Sequence, residues 1–304
     1  MKGIIFVNPF LSLEPSVHQA QRFKEELNNL GVEVEIVSDG FSRVSLSGDG
    51  ASVDLPAPDF AVYLDKDKYL SEILEKGGVR LFNRHNAVRV CDDKAQTYIA
   101  LSGHGINIPK TIFGALCYKA DSNIKKEWAE KIANELSFPL IVKESFGSLG
   151  KGVYKADNLD ELLSIMEKVK LKPHLFQEYI PYKVGVDVRV MVIGGKTVAA
   201  MERGNGNDFR SNIAQGGSGK VIDLPEDFRI VAESCAEILG LDYCGVDLLY
   251  GENGKPVVCE VNSNAFIDGI ESVTGVNVAK AYAEHIIRTI KNKALSQRTV
   301  DKVR

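Results

Sequence analysis

Residues 2 to 7 form a short apolar run, followed by a polar loop from Asn8 to Pro15. Apolar positions then recur with helical spacing from about Val17 to Leu30, and a second apolar run follows from Val32 to Val37. This order predicts strand, helix, strand, with Ser16 placed to cap the helix start and Gly31 placed past its end. The alternating segments F-S-R-V-S-L-S and A-S-V-D-L-P flank Gly48-Asp49-Gly50 and predict a hairpin whose exposed residues meet a substrate or another subunit. Asp59 to Leu64 reads as a third strand, Lys66 to Glu75 as a helix and Val79 to Asn83 as a fourth strand. Residues 1–86 are therefore expected to form a small, mostly parallel α/β layer.

A helix is predicted from Asp92-Asp93-Lys94 to Gly103, a strand from Lys110 to Phe113, and an amphipathic helix opened by Ser122 and running to about Leu136. Pro139 introduces the strand L-I-V-K-E, after which Asp160 to Val169 is helical and Leu175 to Ile180 extended. Strands Val186 to Ile193 and Lys196 to Glu202 meet at Gly194-Gly195, a two-residue hairpin turn. The glycine-rich loop from Gly204 to Lys220 is long enough to be either functional or disordered. A helix from Glu226 to Leu239 precedes two apolar runs, Tyr243 to Tyr250 and Pro256 to Val261, which flank the breaker cluster Gly251 to Lys255 and predict another hairpin. The last helix runs from about Val276 to Lys291.

Composition narrows the function classes. The 304 residues suit two or three packed α/β units, and 44% hydrophobic with 26% charged content is that of a soluble globular protein. No apolar run approaches the ~20 residues that span a bilayer, and no signal peptide is visible after Met1. Cys91, Cys117, Cys235, Cys244 and Cys259 form no C-x-x-C pair, which fits reduced core thiols of a cytoplasmic protein. A net charge of −4 argues against a nucleic-acid footprint. The absence of G-x-G-x-x-G after the first strand argues against a dinucleotide-binding domain.

The chemistry concentrates at glycines, lysines and acids. Side-chain alternation puts Glu260 and Asn262 on one face of the last hairpin, and folding about the turn brings Asp247 opposite Glu260. Three oxygen ligands without His or Cys suit Mg²⁺, although an exposed hairpin with acidic ends would give the same pattern. In E-S-F-G-S-L-G-K-G-V, the residues Gly147, Ser148, Gly150 and Gly152 lie between two strands, so the segment is no P-loop. It is either a glycine-rich hairpin that lies flat over phosphates or a simple turn. Lys143, at the end of an apolar strand, calls for an anion. In Q-E-Y-I-P, Glu178 is embedded in apolar sequence whose backbone is able to read adenine. Asp187, Arg189 and Arg203 punctuate the following strands, Arg189 being equally readable as a structural salt bridge.

Lys94 at a helix start, Lys143 with G-x-x-G-x-G, Q-E-Y-I and D-(x12)-E-x-N stand in a fixed order that resembles the ATP-grasp superfamily of carboxylate–amine ligases, and most closely the RimK-type α-L-glutamate ligases. The resemblance covers roughly residues 85–290 and is tight in D-V-R-V-M-V-I-G-G-K-T-V-A-A-M-E-R, F-R-S-N and E-V-N-S. It implies an α/β ATP-grasp fold with a parallel α/β layer at 1–86, a small α+β lobe with the glycine-rich loop at 87–180, and a C-terminal α+β lobe at 181–304. It implies that Lys94 and Lys143 contact nucleotide phosphates, Glu178, Tyr179 and Ile180 hold adenine, Asp187 holds the ribose, and Arg210, Ser211 and Asn212 bind nucleotide. Asp247, Glu260 and Asn262 would be ligands of two Mg²⁺ ions, with Mn²⁺ as a substitute. The sequence departs where the family's N-S-S-P-G is Asn262-Ser263-Asn264-Ala265-Phe266, in a loop that borders the acceptor side.

The implied reaction is ATP-dependent amide formation. A substrate carboxylate takes the γ-phosphoryl group, and the acyl phosphate is attacked by an amine, with Arg203 and nearby Arg189 acting on the oxyanion and departing phosphate. The expected partners are a carboxylate acceptor, whether protein C-terminus, peptide or small molecule, and an amino acid such as L-glutamate. No nucleic acid or membrane is expected, and a homo-oligomer is. Two other readings stay open: an amino-acid biosynthesis ligase working on a carrier protein or forming dipeptide-type products, and a non-catalytic ATP-binding module.

Overall fold

The protein is described by a computed structural model covering residues 1–10, 14–148, 150–206 and 218–301, with side chains to residue 292. Its first layer joins β1 (Lys2–Val7), α1 (Glu14–Asn29) and β2 (Glu33–Val37), then the hairpin of β3 (Val44–Ser47) and β4 (Gly50–Val53). β5 (Phe60–Leu64), α2 (Lys68–Lys76) and β6 (Leu81–Phe82) complete it. β1, β2, β5 and β6 pair in parallel in the order β2-β1-β5-β6, so the expected parallel layer is present. Two starts differ from expectation. α1 begins at Glu14, because a proline in the first helical turn has no N–H to leave unpaired, and Ser16 is therefore inside the helix with its Oγ buried and unpartnered rather than a cap. α2 begins after Asp67, whose carboxylate accepts from the backbone N–H groups of Tyr69 and Leu70.

α3 (His85–Asp92) and α4 (Lys94–Leu101) follow, the second capped by Asp93 through the N–H groups of Ala95 and Gln96. The second sheet is antiparallel, in the order β7-β10-β8-β9, from β7 (Thr111–Phe113), β8 (Leu140–Glu144), β9 (Val153–Ala156) and β10 (His174–Glu178). α5 (Lys126–Leu136) and α6 (Leu159–Val169) cover one of its faces with Ala129, Leu136, Leu162 and Met166. α5 starts at Lys126 rather than at the expected Ser122, since Ser122 gives its carbonyl to Lys170 Nζ and stays in the preceding loop.

The third sheet is antiparallel in the order β13-β12-β11-β14-β15. It consists of β11 (Val186–Ile193), β12 (Lys196–Gly204), β13 (Ser218–Val221), β14 (Tyr243–Tyr250) and β15 (Pro256–Asn262), with α7 (Glu226–Leu239) between β13 and β14. Gly194 and Gly195 turn the first hairpin with φ of 57° and 75°, the left-handed pair such a turn requires. Alternation divides the sheet. Val188, Val190, Val192, Val246 and Leu248 face α7 and also bury Ala87, Cys91 and Leu101 of α3 and α4. Met191, Ile193, Met201 and Tyr243 face the opposite way and share a core with Ile5, Phe60 and Val62 of the first layer, with α1, and with α8 (Asp268–Thr274) and α9 (Val278–Asp301). The first and third sheets thus form one hydrophobic unit.

Asn83 fastens that unit. Its side-chain N–H groups donate to the carbonyls of Tyr243 (2.7 Å) and Ser263 (2.8 Å), and its Oδ1 accepts from the N–H groups of Asp242 (2.7 Å) and Tyr243 (3.0 Å). All four capacities of a buried amide are filled. Among the described residues no helix is long and apolar enough to cross a membrane.

Candidate active site

The half of the third sheet not covered by the first layer carries a row of charges. Pairing sets Asp187 opposite Arg203, Arg189 opposite Asp247, and Asp247 opposite Glu260, so five charged side chains from four strands share one face. The last step depends on a bulge. Asp247 pairs with Glu260 but Leu248 with Val258, leaving Cys259 as an extra residue in β15. Strict alternation would put Val258 and Glu260 on the same side. The bulge instead lets Val258 and Val261 enter the dry core while Glu260 and Asn262 face the cleft.

Asp187, Asp247 and Arg203 are 3%, 3% and 4% exposed. Arg203 donates through Nε to Asp187 (2.7 Å), also contacts the second Asp187 oxygen, and lies 3.0 Å from Asp247. Arg189 grips Asp247 with Nε and, at 2.7 Å, with Nη2. Burial is the largest influence on the Asp247 carboxyl and pushes its pKa up, but Arg189 and Arg203 outweigh it and the net shift is downward. The cationic compensation of the buried Asp247 is thus supplied by two arginines of the protein, whereas the half-buried Glu260 has Lys94 beside it.

Facing this row, Lys94 donates to the Gly147 carbonyl at 2.8 Å and lies 3.3 Å from Glu260. Lys143 is 8% exposed and bonds only weakly to the Tyr98 hydroxyl (3.4 Å) and Cys259 carbonyl (3.5 Å). Burial acts most strongly on it and downward, yet Cys259, Tyr98 and Glu260 more than offset this and its pKa is raised, so it stays an ammonium. Two cavities meet here. The first is lined at one end by Lys94, Lys143, Gly147, Ser148 and Gly150, and along its apolar wall by Ile141, Ile180, Val184 and Leu249. Glu178, Tyr179, Asp187, Asp247 and Glu260 also border it. The second, of about 450 Å³, is lined by Arg189, Asn262, Asn264 and Phe266 and, from the first layer, by Asn8, Asp65 and Lys66. Lys94, Gly147, Ser148 and Glu260 border both.

Most residues singled out from the sequence converge on these cavities. The Glu178 side chain is already used, accepting from the Lys110 N–H at 2.8 Å. Arg203 lines neither cavity, because Asp187 and Asp247 cover it. Gly152 lines neither: its φ is 74°, its carbonyl accepts from the Glu144 N–H, and a Cβ there would come within 3.0 Å of the Glu144 side chain. Gly152→Ala is expected to cost about 1–2 kcal/mol of stability, read as a lowered denaturation midpoint, and a variant as stable as the parent would show that the turn does not need glycine. Arg210, Ser211 and Asn212 lie outside the described residues. Sequence reading missed Tyr98, which stands one helical turn after Lys94 and whose hydroxyl donates to the Cys259 carbonyl. It also missed Asn8 and Asp65, each directly after a parallel strand.

The two carboxylates and one amide of Asp247, Glu260 and Asn262 are a donor set that Mg²⁺ accepts, and Asn262 keeps a buried Nδ2 without partner. Among the described residues no three His, Cys, Asp or Glu side chains form a metal cluster, so phosphate oxygens or water would have to complete the shell.

Comparison with known proteins gives a consistent picture. The RimK-like ATP-grasp domain matches residues 91–286. The chain is 34% identical over 298 residues to a "Probable alpha-L-glutamate ligase" of Psychromonas ingrahamii, covering 92% of this chain and 95% of that one. It is 34% identical over 245 residues to "Beta-citrylglutamate synthase B" of Danio rerio, covering 80% of this chain but only 58% of that longer protein. A RimK domain ATP-grasp protein from Sphaerobacter thermophilus superposes with a TM-score of 0.70 at 20% identity over 94% of this chain and all of that one, a likeness of fold.

Proposed function

The chain belongs to the RimK-like ATP-grasp family, and from that premise we propose that it is an ADP-forming carboxylate–amine ligase that makes an amide bond through an acyl phosphate. The observation that carries this reading is the meeting of two cavities at Lys94, Gly147, Ser148 and Glu260, which sets two occupants side by side for transfer of a phosphoryl group. In this reading ATP occupies the first cavity. Adenine lies against Ile180, Val184 and Leu249 beside the Glu178–Ile180 backbone, Asp187 faces the ribose, and Lys94 and Lys143 take the phosphates with the N–H groups of Gly147, Ser148 and Gly150. Asp247, Glu260 and Asn262 would hold Mg²⁺, as two ions with Mn²⁺ as a substitute. When bound, the metal neutralises charge on the β- and γ-phosphates.

A carboxylate oxygen of the substrate in the second cavity attacks the γ-phosphorus, and ADP leaves. The amine then attacks the acyl carbon, inorganic phosphate departs and the amine loses a proton. Arg189 borders the second cavity, so it is the arginine suited to the oxyanion and the departing phosphate. Arg203 acts as a positioning residue that fixes Asp187 and Asp247. L-Glutamate is the amine in this reading, supported by the names of both relatives, which carry glutamate as the shared component.

The test is isotopic. With ATP, Mg²⁺ and a carboxylate labelled with ¹⁸O, one label should pass into the released phosphate, because the oxygen that attacks phosphorus leaves with it. Hydroxylamine in place of the amine should trap the hydroxamate. Label retained wholly in the product, with AMP and pyrophosphate formed, would mean adenylation and overturn the mechanism.

A further inference from the structure

We infer that the carboxylate substrate itself carries a free, positively charged amino group, which Asp65 holds and which takes no part in the reaction. The inference rests on the ligase reading above. Asp65 and Asn8 directly follow β5 and β1, at the carboxyl ends of two adjacent parallel strands. From β1 the chain moves to β2 on one side and then to β5 and β6 on the other, so the crevice between β1 and β5 is the switch point where open α/β sheets take ligands. That crevice opens into the second cavity, opposite Arg189 and Asn262.

The charges there are unevenly satisfied. Lys66 is paired with Asp92 at 2.8 Å, Lys94 lies against Glu260, and Arg189 against Asp247. Asp65 receives only neutral donors, Asn8 Nδ2 at 3.1 and 3.2 Å and the Lys66 N–H at 2.7 Å, and has no cationic partner among the described residues. A fixed, half-buried carboxylate whose neighbouring cations are each paired with another acid repels an anionic ligand group and attracts a cationic one. Nearby, Asn264 holds a buried Oδ1 without partner, in the loop where the sequence leaves the family pattern.

Two substrates enter this cavity, and the chemistry separates them. The attacking amine must be neutral when it reacts, whereas a neighbouring carboxylate favours the ammonium and would oppose attack. A carboxylate built for recognition therefore suits the substrate whose amine is a bystander, which is the carboxylate donor. The predicted donor is an amino acid or short peptide with a free amine, in contrast to citrate-like or N-acylated acids.

The experiment supplies ATP, Mg²⁺ and L-glutamate as the amine and compares ADP formation with free amino acids and dipeptides against their N-acetyl counterparts and citrate. Free-amine donors should show kcat/KM higher by on the order of tenfold or more, the scale of one charge-assisted contact. Asp65→Asn should erase that preference through the KM for the donor while the KM for ATP stays unchanged. The asparagine keeps an acceptor for Asn8, so the fold is expected to persist, and the comparison within the parent protein needs no variant. Equal or better turnover of N-acetyl donors, or an unchanged preference in Asp65→Asn, would overturn the inference. Binding of the same pairs to protein loaded with AMPPNP and Mg²⁺, read by titration calorimetry, separates the two proposals. If no donor yields ADP but the free-amine members bind more tightly and Asp65→Asn abolishes the difference, the ligase reading fails while Asp65 is still the group that holds a ligand's amine; if they do not bind more tightly, the inference fails whatever the turnover.

Discussion

Glu260→Gln is expected to lower the rate of ADP formation by on the order of 10²–10³-fold, the loss seen when one preorganised electrostatic contact to a developing charge is removed. Glu260 borders both cavities, stands opposite Asp247 and lies 3.3 Å from Lys94. Glutamine keeps the volume and can still accept from Lys94, so the sheet should remain intact. What disappears is a charge where Mg²⁺ would sit, and with one of only two carboxylates gone the donor set holds the metal more weakly. The assay is ADP release at saturating Mg²⁺, with the denaturation midpoint measured alongside. A variant that turns over like the parent would remove Glu260 from the metal site.

Arg203→Ala should act mainly on the fold, costing roughly 3–5 kcal/mol, because it takes one partner from a buried charge network. The guanidinium lies between Asp187 and Asp247, both almost fully buried, and without it Asp247 keeps Arg189 alone while Asp187 loses the pair described here. The pH dependence has a definite sign. In the parent the Asp247 pKa is depressed, so its contribution is present above the unfolded value of about 3.9 and is lost as pH falls through the folded value. Removing Arg203 leaves the burial and takes away one of the two arginines that oppose it, which moves that pKa up from its depressed value. The stability deficit of the variant should therefore be full near neutral pH and narrow as pH falls into the carboxylate range, at and below about pH 4, as urea denaturation at neutral and acid pH would reveal. If stability is unchanged and only turnover collapses, Arg203 acts on the reacting atoms and is no positioning residue.

The chemistry-bearing hairpin was readable because its signals are local. Breakers at Gly251 to Lys255 fix the turn, and period-two alternation puts Glu260 and Asn262 on one face near Asp247. The same locality explains what was hidden. The bulge at Cys259 depends on how β15 pairs with β14, and nothing in V-V-C-E-V announces an extra residue. Arg203 looked as available as Arg189, since alternation gives the face of a side chain but not its depth under two aspartates. α3 and α8, of eight and seven residues, are too short for helical periodicity to stand out. That α3 and α4 bury their apolar faces against the third sheet is a tertiary choice with no local marker in the sequence.

The Asn83 clamp bears on how such proteins are re-engineered. The donor crevice belongs to the first layer and the metal-facing hairpin to the third sheet, which invites exchanging the N-terminal segment between relatives to change specificity. Asn83 binds the backbone at Asp242 and Tyr243, where β14 begins, and the acceptor loop at Ser263, inside a core that Ile5, Phe60, Tyr243 and Tyr282 fill jointly. A foreign N-terminal segment would have to match that amide and those ring contacts at once, or leave buried backbone groups without partners at about 1–3 kcal/mol each. Substitution at individual crevice positions is the route this architecture tolerates, and wholesale chimeras cut through a core that the first layer and the third sheet fill together.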